Sequence, residues 1–166
     1  MTLGASEPAG RLFIDVPARV DAGATLQQAA AAAITELKAA RAAIPGYGHP
    51  LHKERDPRVD RLIDVATQAG ADLRYVRIAQ ALEEVIPGIV GKDLRMNVSA
   101  AIPAVLLGVG FPVASLRGVP ILARTAGLIA HLAEEAETAS GLALSYQATR
   151  ELQYEGSVPA GFGEAP

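Results

Sequence analysis

Apolar positions along most of this chain recur at helical spacing. Val59, Leu62, Ile63 and Ala66 stand at i, i+3, i+4 and i+7. Asp56-Pro57 precedes them as an N-cap with proline at the first helical position, and Gly70 follows as a stop. Tyr75, Ile78, Ala79, Leu82 and Ile86 make a second stripe, which Pro87 is expected to end. Thr25-x-x-Gln28 forms a capping box before LQQAAAAAITELKAARAA, a run predicted to close where Pro45 disfavours helical geometry in Ile44. PILARTAGLIAHLAEEAE, Pro120 to Glu137, reads as a strong helix with acids only near its end. Its faces are almost wholly apolar, which predicts burial nearly all round. RLFIDV is the one short strand-like piece, so the fold class expected is all-α.

Length and composition narrow the options. At 166 residues the chain is long enough for one domain with its own core. It divides into an expected domain over residues 1–155 and a loose tail over 156–166, GSVPAGFGEAP. Half the residues are hydrophobic but only 4% aromatic, so the core falls to Ala, Leu, Val and Ile. Few aromatics and a net charge of −3 argue against a nucleic-acid partner, which needs stacking platforms and phosphate neutralisation. Absence of cysteine excludes disulfides, thiolate catalysis and cysteine-based metal sites. His49, His52 and His131 are weak support for zinc, and no metal is expected. The start MTLGASEPAGRLF lacks a basic segment followed by an apolar one, so no signal peptide is expected. The uncharged stretch Ala100 to Leu116 is the one that suggests a membrane span; it is short of about 20 residues and holds Pro103, Gly108, Gly110 and Pro112. A buried helix and turn fits it better, and the expectation is a soluble, cytoplasmic protein without a membrane partner.

Three segments carry candidate chemistry. In IPGYGHPLHKERDPR, Gly46 and Gly48 flank Tyr47 and permit backbone angles and close ligand approach that other residues resist. The turn then delivers His49, Lys53, Arg55 and Arg58, with Glu54 and Asp56 as partial balance. This is either an anion-binding loop or a solvated mixed-charge connection. Arg124 lies in the apolar helix ILARTAGLIAHLA, where a guanidinium needs a carboxylate or phosphate partner. That partner is an internal acid such as Glu7 or Asp60, or a ligand carboxylate given room by Gly127. In RMNVSAAIPAVLLGVGF, Asn97 is a good N-cap with Ser99 in the first turn, and Pro103 leaves the Ser99 carbonyl without its helical donor.

Together, PGYGHPLHKERDPR, MNVSAAIPAVLLGVGF and ARTAGLIAHLAEE, in this order and spacing, resemble the citrate synthase superfamily, most of all its short citryl-CoA lyase-like members. The resemblance spans Gly4 to Gly156 and covers the C-terminal part of a usual member. It implies a small domain plus C-terminal helices, with the large N-terminal helical domain lacking, as though the chain began part-way through. It implies that His49 hydrogen-bonds the oxygen of oxaloacetate or a citryl group. Arg58 and Arg124 then bind substrate carboxylates, and Asn97 joins them in the substrate-binding set. Pro45, Gly46, Tyr47 and Gly48 contact coenzyme A by backbone and Lys53 by charge.

The chain also departs from the family. Ser99 stands where the family motif P-N-V-D has the aspartate that removes a proton from acetyl-CoA. A second family histidine falls on Thr2, and an arginine given by the neighbouring subunit has only Arg150 as a faint match. The function implied is carbon–carbon bond making or breaking between an acetyl-CoA unit and a 2-oxo dicarboxylate, impaired by truncation and by Ser99. The alternative is a non-catalytic remnant that binds CoA or a polycarboxylate, or a subunit of a split enzyme. No permanently bound cofactor is implied, the CoA thioester being a substrate. The partners implied are an acyl-CoA, a di- or tricarboxylate, and a second copy (a homodimer) or a larger subunit.

Overall fold

A computed structural model of the chain describes residues 4–153, 155–157 and 161–162. Thr2 and most of the expected tail lie outside the described residues. Helices α1 (Ser6–Asp21), α2 (Leu26–Ala39), α3 (Pro57–Gln68), α4 (Arg74–Val90) and α5 (Val98–Leu106) lead through two 3-10 turns, Leu107–Val109 and Val113–Ser115, to α6 (Gly118–Glu137) and α7 (Gly141–Arg150). Among the described residues there is no strand, only an isolated antiparallel bridge between Tyr47 and Met96. The all-α expectation holds.

The chain separates into a unit ending at Arg124 and a second from Thr125. In the first, α2 packs on α4, α1 on α2 and α5, and α3 and α4 on α5. Ala29, Ala30 and Ala33 on α2 are all buried, and such small side chains permit close helix approach. Phe13, Ile34, Leu82 and Ile86 fill the volume between and are fully enclosed. Burying each contributes roughly 1.5–3 kcal/mol relative to exposure. The second unit, the remainder of α6 with α7, contains no buried residue among those described.

Local signals behave as their chemistry requires where a side chain supplies the cap. Thr25 and Gln28 form the reciprocal capping box, with the Gln28 N–H on the Thr25 hydroxyl at 3.2 Å and the Thr25 N–H on Gln28 Oε1 at 2.8 Å. Asp56 and Asn97 cap α3 and α5.

Four expectations are corrected. RLFIDV lies inside α1, because Ala9, Phe13 and Val16 form a helical stripe that the core absorbs. The helix from Leu26 ends at Ala39, ahead of Pro45, where Arg41 turns left-handed at φ 52°. Pro87 sits within α4 without stopping it; Gly91, at φ 76°, makes the end. Finally, no residue of α6 is buried, against the burial expected nearly all round, and the core of the first unit is drawn from α1 to α5 and the segments between them. The stretch with the length and composition to cross a membrane is accordingly Val113–Glu137, mean hydropathy 1.3, rather than Ala100 to Leu116.

Candidate functional site

The glycine turn is built against the start of α5. Gly46 has φ +88° and Gly48 φ +80°, both in the region glycine alone enters cheaply. A Cβ on Gly46 would also fall 2.5 Å from the Ala100 Cβ and 2.9 Å from the Ala100 backbone nitrogen. Between them Tyr47 turns inward, and its hydroxyl donates to the Ala79 carbonyl of α4 at 2.8 Å. Burial, and then the charge of Glu83, push this phenol well above its ordinary pKa, so it stays a donor.

Backbone and amide bonds fasten the turn to residues 95–97. The Gly48 N–H donates to the Arg95 carbonyl at 2.7 Å, and the Asn97 N–H to the Gly46 carbonyl at 2.9 Å. The Asn97 side-chain amide donates to the Gly48 carbonyl at 2.6 Å, while its oxygen accepts the Ser99 N–H at 2.8 Å. Asn97 thus caps α5 and holds the histidine turn at once. The Glu83 carboxylate accepts the Met96 N–H at 2.7 Å from the other side.

Asp56 ties α3 to the same place. Its Oδ1 accepts the Arg58 N–H at 3.1 Å and Arg58 Nε at 2.8 Å; its Oδ2 accepts Arg58 Nη2 at 2.8 Å and the Val98 N–H at 2.9 Å. Burial alone would raise this carboxyl. The Arg58 guanidinium, with the Val98 and Arg58 amides, outweighs burial and holds it at about 2. Arg58 spends its Nε–Nη2 edge on Asp56 and is half exposed (50%).

His49 is fixed by its own loop. Its Nδ1 accepts the Leu51 N–H at 3.1 Å and the His52 N–H at 3.0 Å. Two donors on one ring nitrogen require a lone pair there, which commits the imidazole to a proton on Nε2. The His49 and His52 rings lie with centroids 4.6 Å apart, tilted by 34°.

The structure therefore brings Gly46, Tyr47, Gly48, His49, Asp56, Arg58, Asn97 and Ser99 into one hydrogen-bonded unit. Pro45 begins the turn and is half-buried; Lys53 is exposed on the loop beyond it. Arg124 is exposed on α6, so burial supplies no reason for it to seek a carboxylate. Glu7 pairs with Arg11, and Asp60 with Arg55. Arg150 lies over the Tyr146 ring on α7 at 5.6 Å. No group of three or more potential ligands among the described residues is placed to hold a metal. Sequence reasoning gave no role to His52, Glu83 or the Asp56 bridge. The His-x-x-His spacing signals the first and the Asp-Pro cap half of the last; nothing local signals Glu83.

Comparison with known proteins gives this geometry a context. A family profile described as citrate synthase, C-terminal domain, matches residues 4–143. A citrate synthase of Saccharolobus solfataricus is 35% identical over 97 residues, 55% of this chain and 26% of that enzyme. The structure of a citryl-CoA lyase from Hydrogenobacter thermophilus superposes with a TM-score of 0.73 at 31% identity, over 94% of this chain and 58% of that one. The chain thus spans only part of either relative's length. Through the C-terminal domain that the profile describes, it belongs to the citrate synthase family.

Proposed function

We propose that the unit formed by the glycine turn and the starts of α3 and α5 binds a 2-oxo dicarboxylate, or the citryl group made from it, beside a CoA thioester. The reaction is reversible carbon–carbon cleavage of citryl-CoA to acetyl-CoA and oxaloacetate. The observation that carries this reading is the tautomer of His49. With Nδ1 saturated by two backbone donors, its Nε2–H is committed to donate to an oxygen, and the oxygen at stake is the carbonyl of oxaloacetate or the hydroxyl of citryl-CoA. Arg58, with one guanidinium edge fixed by Asp56 and the rest exposed, suits a carboxylate of the same ligand. Arg124 is a second carboxylate ligand and Asn97 a substrate-facing amide in this reading. Pro45, Gly46, Tyr47, Gly48 and Lys53 hold the coenzyme A. No permanently bound cofactor is required.

Incubating the chain with citryl-CoA and following release of acetyl-CoA and oxaloacetate tests this directly. Turnover, weakened tens-fold or more by Arg58→Ala through loss of a charge-assisted pair of about 1.5–3 kcal/mol, supports it. Absence of any citryl-CoA or oxaloacetate binding refutes it.

Ser99 favours a second reading, a protein that binds these ligands without turning them over, because a serine hydroxyl does not take protons at neutral pH without a partner. In either case the exposed Leu128, Ile129 and Leu132 of α6 call for a protein partner, and a second copy is the one we propose. The family match reaches through α6, which supports a protein over a bilayer as its cover. The mass of the protein in solution across a dilution series measures this.

A further inference from the structure

Resting on that reading, we propose that His52 is the proton-transfer residue of this site, filling the part that Ser99 cannot. Reversible cleavage of citryl-CoA needs a group that takes a proton from the acetyl methyl carbon, leaving the electron pair on the thioester oxygen as an enolate, and returns it in the other direction. The available groups can be gone through one by one. His49 has its proton on Nε2 and its Nδ1 lone pair on two amides, so it donates and does not accept. The Asp56 carboxylate carries four hydrogen bonds in full burial. Glu83 holds the Met96 N–H, and Asp60 is paired with Arg55. Glu54 is exposed and lines a cleft of about 220 Å³ with Glu83 and Arg95.

His52 differs from all of these. It is half-buried, and neither ring nitrogen has a hydrogen-bond partner among the described residues. Its ring stands 4.6 Å, centroid to centroid, from the ring that presents the oxygen donor. With the oxaloacetate carbonyl held by His49 Nε2–H, the acetyl-CoA methyl brought up to it lies alongside the His52 imidazole, whose unprotonated nitrogen has a lone pair to accept with. In condensation His52 takes the methyl proton onto that nitrogen and the enolate carbon attacks the carbonyl carbon, whose π pair moves onto oxygen. The alkoxide so formed, held by His49 Nε2–H, takes the proton from the His52 imidazolium, and cleavage runs the same steps in reverse. The loop thus supplies both halves of the chemistry, its His-x-x-His spacing putting a fixed donor next to a free acceptor.

The alternative role for this ring is packing against His49, and it predicts different variants. The test is exchange of acetyl-CoA methyl protons in D2O, read by mass spectrometry, with malate as a stand-in for oxaloacetate that cannot condense. His52→Phe keeps an aromatic ring against His49 but cannot titrate; His52→Gln keeps a polar one. Both should lose exchange by about 10²–10⁴-fold, the usual worth of a positioned base, with acetyl-CoA and malate binding unchanged. Glu54→Gln should leave exchange as it was. Placing a carboxylate in the first turn of α5, Ser99→Asp in the His52→Phe background, should restore exchange. Exchange that survives His52→Phe, or that Glu54→Gln abolishes, overturns the assignment. So does a wild-type chain that binds both ligands without exchanging. A chain that binds neither ligand refutes the underlying reading of the site, and this assignment with it.

Discussion

The two units of this chain draw on the same residues and use them in opposite ways. In the first, leucine, isoleucine, valine and alanine from α1, α2, α4 and α5 vanish into a common core, with Phe13, Leu82 and Ile86 entirely enclosed. In the second, Leu128, Ile129, Leu132, Leu142 and Leu144 are all more than half exposed. Their apolar content is comparable, so composition does not explain the difference. What separates them is the number of faces available: the five helices α1 to α5 can close on one another, while α6 and α7 as described bury no side chain. An apolar helix carries the information that it will be covered, but not by what.

The largest effect expected lies in the closed unit. Phe13→Ala should cost about 3–5 kcal/mol in urea unfolding, the transfer loss plus the cavity it leaves. Leu132→Ala, at a position 65% exposed, should change the stability of a monomer by less than about 0.5 kcal/mol. If a second copy covers α6, the same substitution will weaken dimerisation while leaving the dilute monomer unaltered. Equal losses for both variants in the dilute monomer would break the contrast.

Glycines sharpen it next. Gly46→Ala meets both a left-handed backbone and the Ala100 backbone, and should cost about 2–4 kcal/mol while detaching the histidine turn from α5. On α6 a Cβ added to Gly127 finds nothing within 4 Å, so Gly127→Ala should stabilise the helix by up to about 1 kcal/mol. Thermal unfolding distinguishes the two, and a destabilising Gly127→Ala would show that α6 meets something closely there.

How much of this was legible in the chain follows from the range of each interaction. Caps made by side chains were readable, because Thr25, Asp56 and Asn97 act within three residues. Helix ends made by backbone geometry were misplaced: the proline rule suggested Pro45 and Pro87, while Arg41 and Gly91 turn the chain. The candidate loop was visible as G-Y-G-H followed by basic residues, and its attachment was not. That attachment runs from Asp56 to Val98, from Asn97 to Gly48 and from Glu83 to Met96, over separations of 42, 49 and 13 residues. The burial assigned to Arg124 failed for the same reason as the rest of α6: apolar composition does not by itself place a helix in the core.

Two carboxylates extend the comparison to pH. Asp56 is fully enclosed, and its folded pKa of about 2 lies below the ordinary 3.8. A depressed carboxylate contributes stability that is present above the unfolded value and is lost as pH falls through the folded one. That contribution is on the order of 2 kcal/mol, lost between about pH 4 and pH 2. Acid unfolding of the first unit should show this loss in the wild type, and Asp56→Asn, already less stable at neutral pH, should lack it.

The smallest effect belongs to the matching carboxylate of the second unit. Glu135 accepts the Ser140 N–H at 2.9 Å and the Gly141 N–H at 2.9 and 3.1 Å, joining the end of α6 to the start of α7. Those amides, followed by the Ser140 hydroxyl, hold its pKa below the ordinary carboxylate value. The chemistry is that of Asp56, a carboxylate on helix-start amides, but Glu135 is only partly buried and is screened by salt. Glu135→Gln should therefore leave the global unfolding midpoint in place. It should speed amide exchange at Ser140 and Gly141, an effect that shrinks in high salt. Slow exchange that persists in the variant would mean that those amides are protected by a covering surface rather than by Glu135, and the second unit would then be closed in solution as the first is.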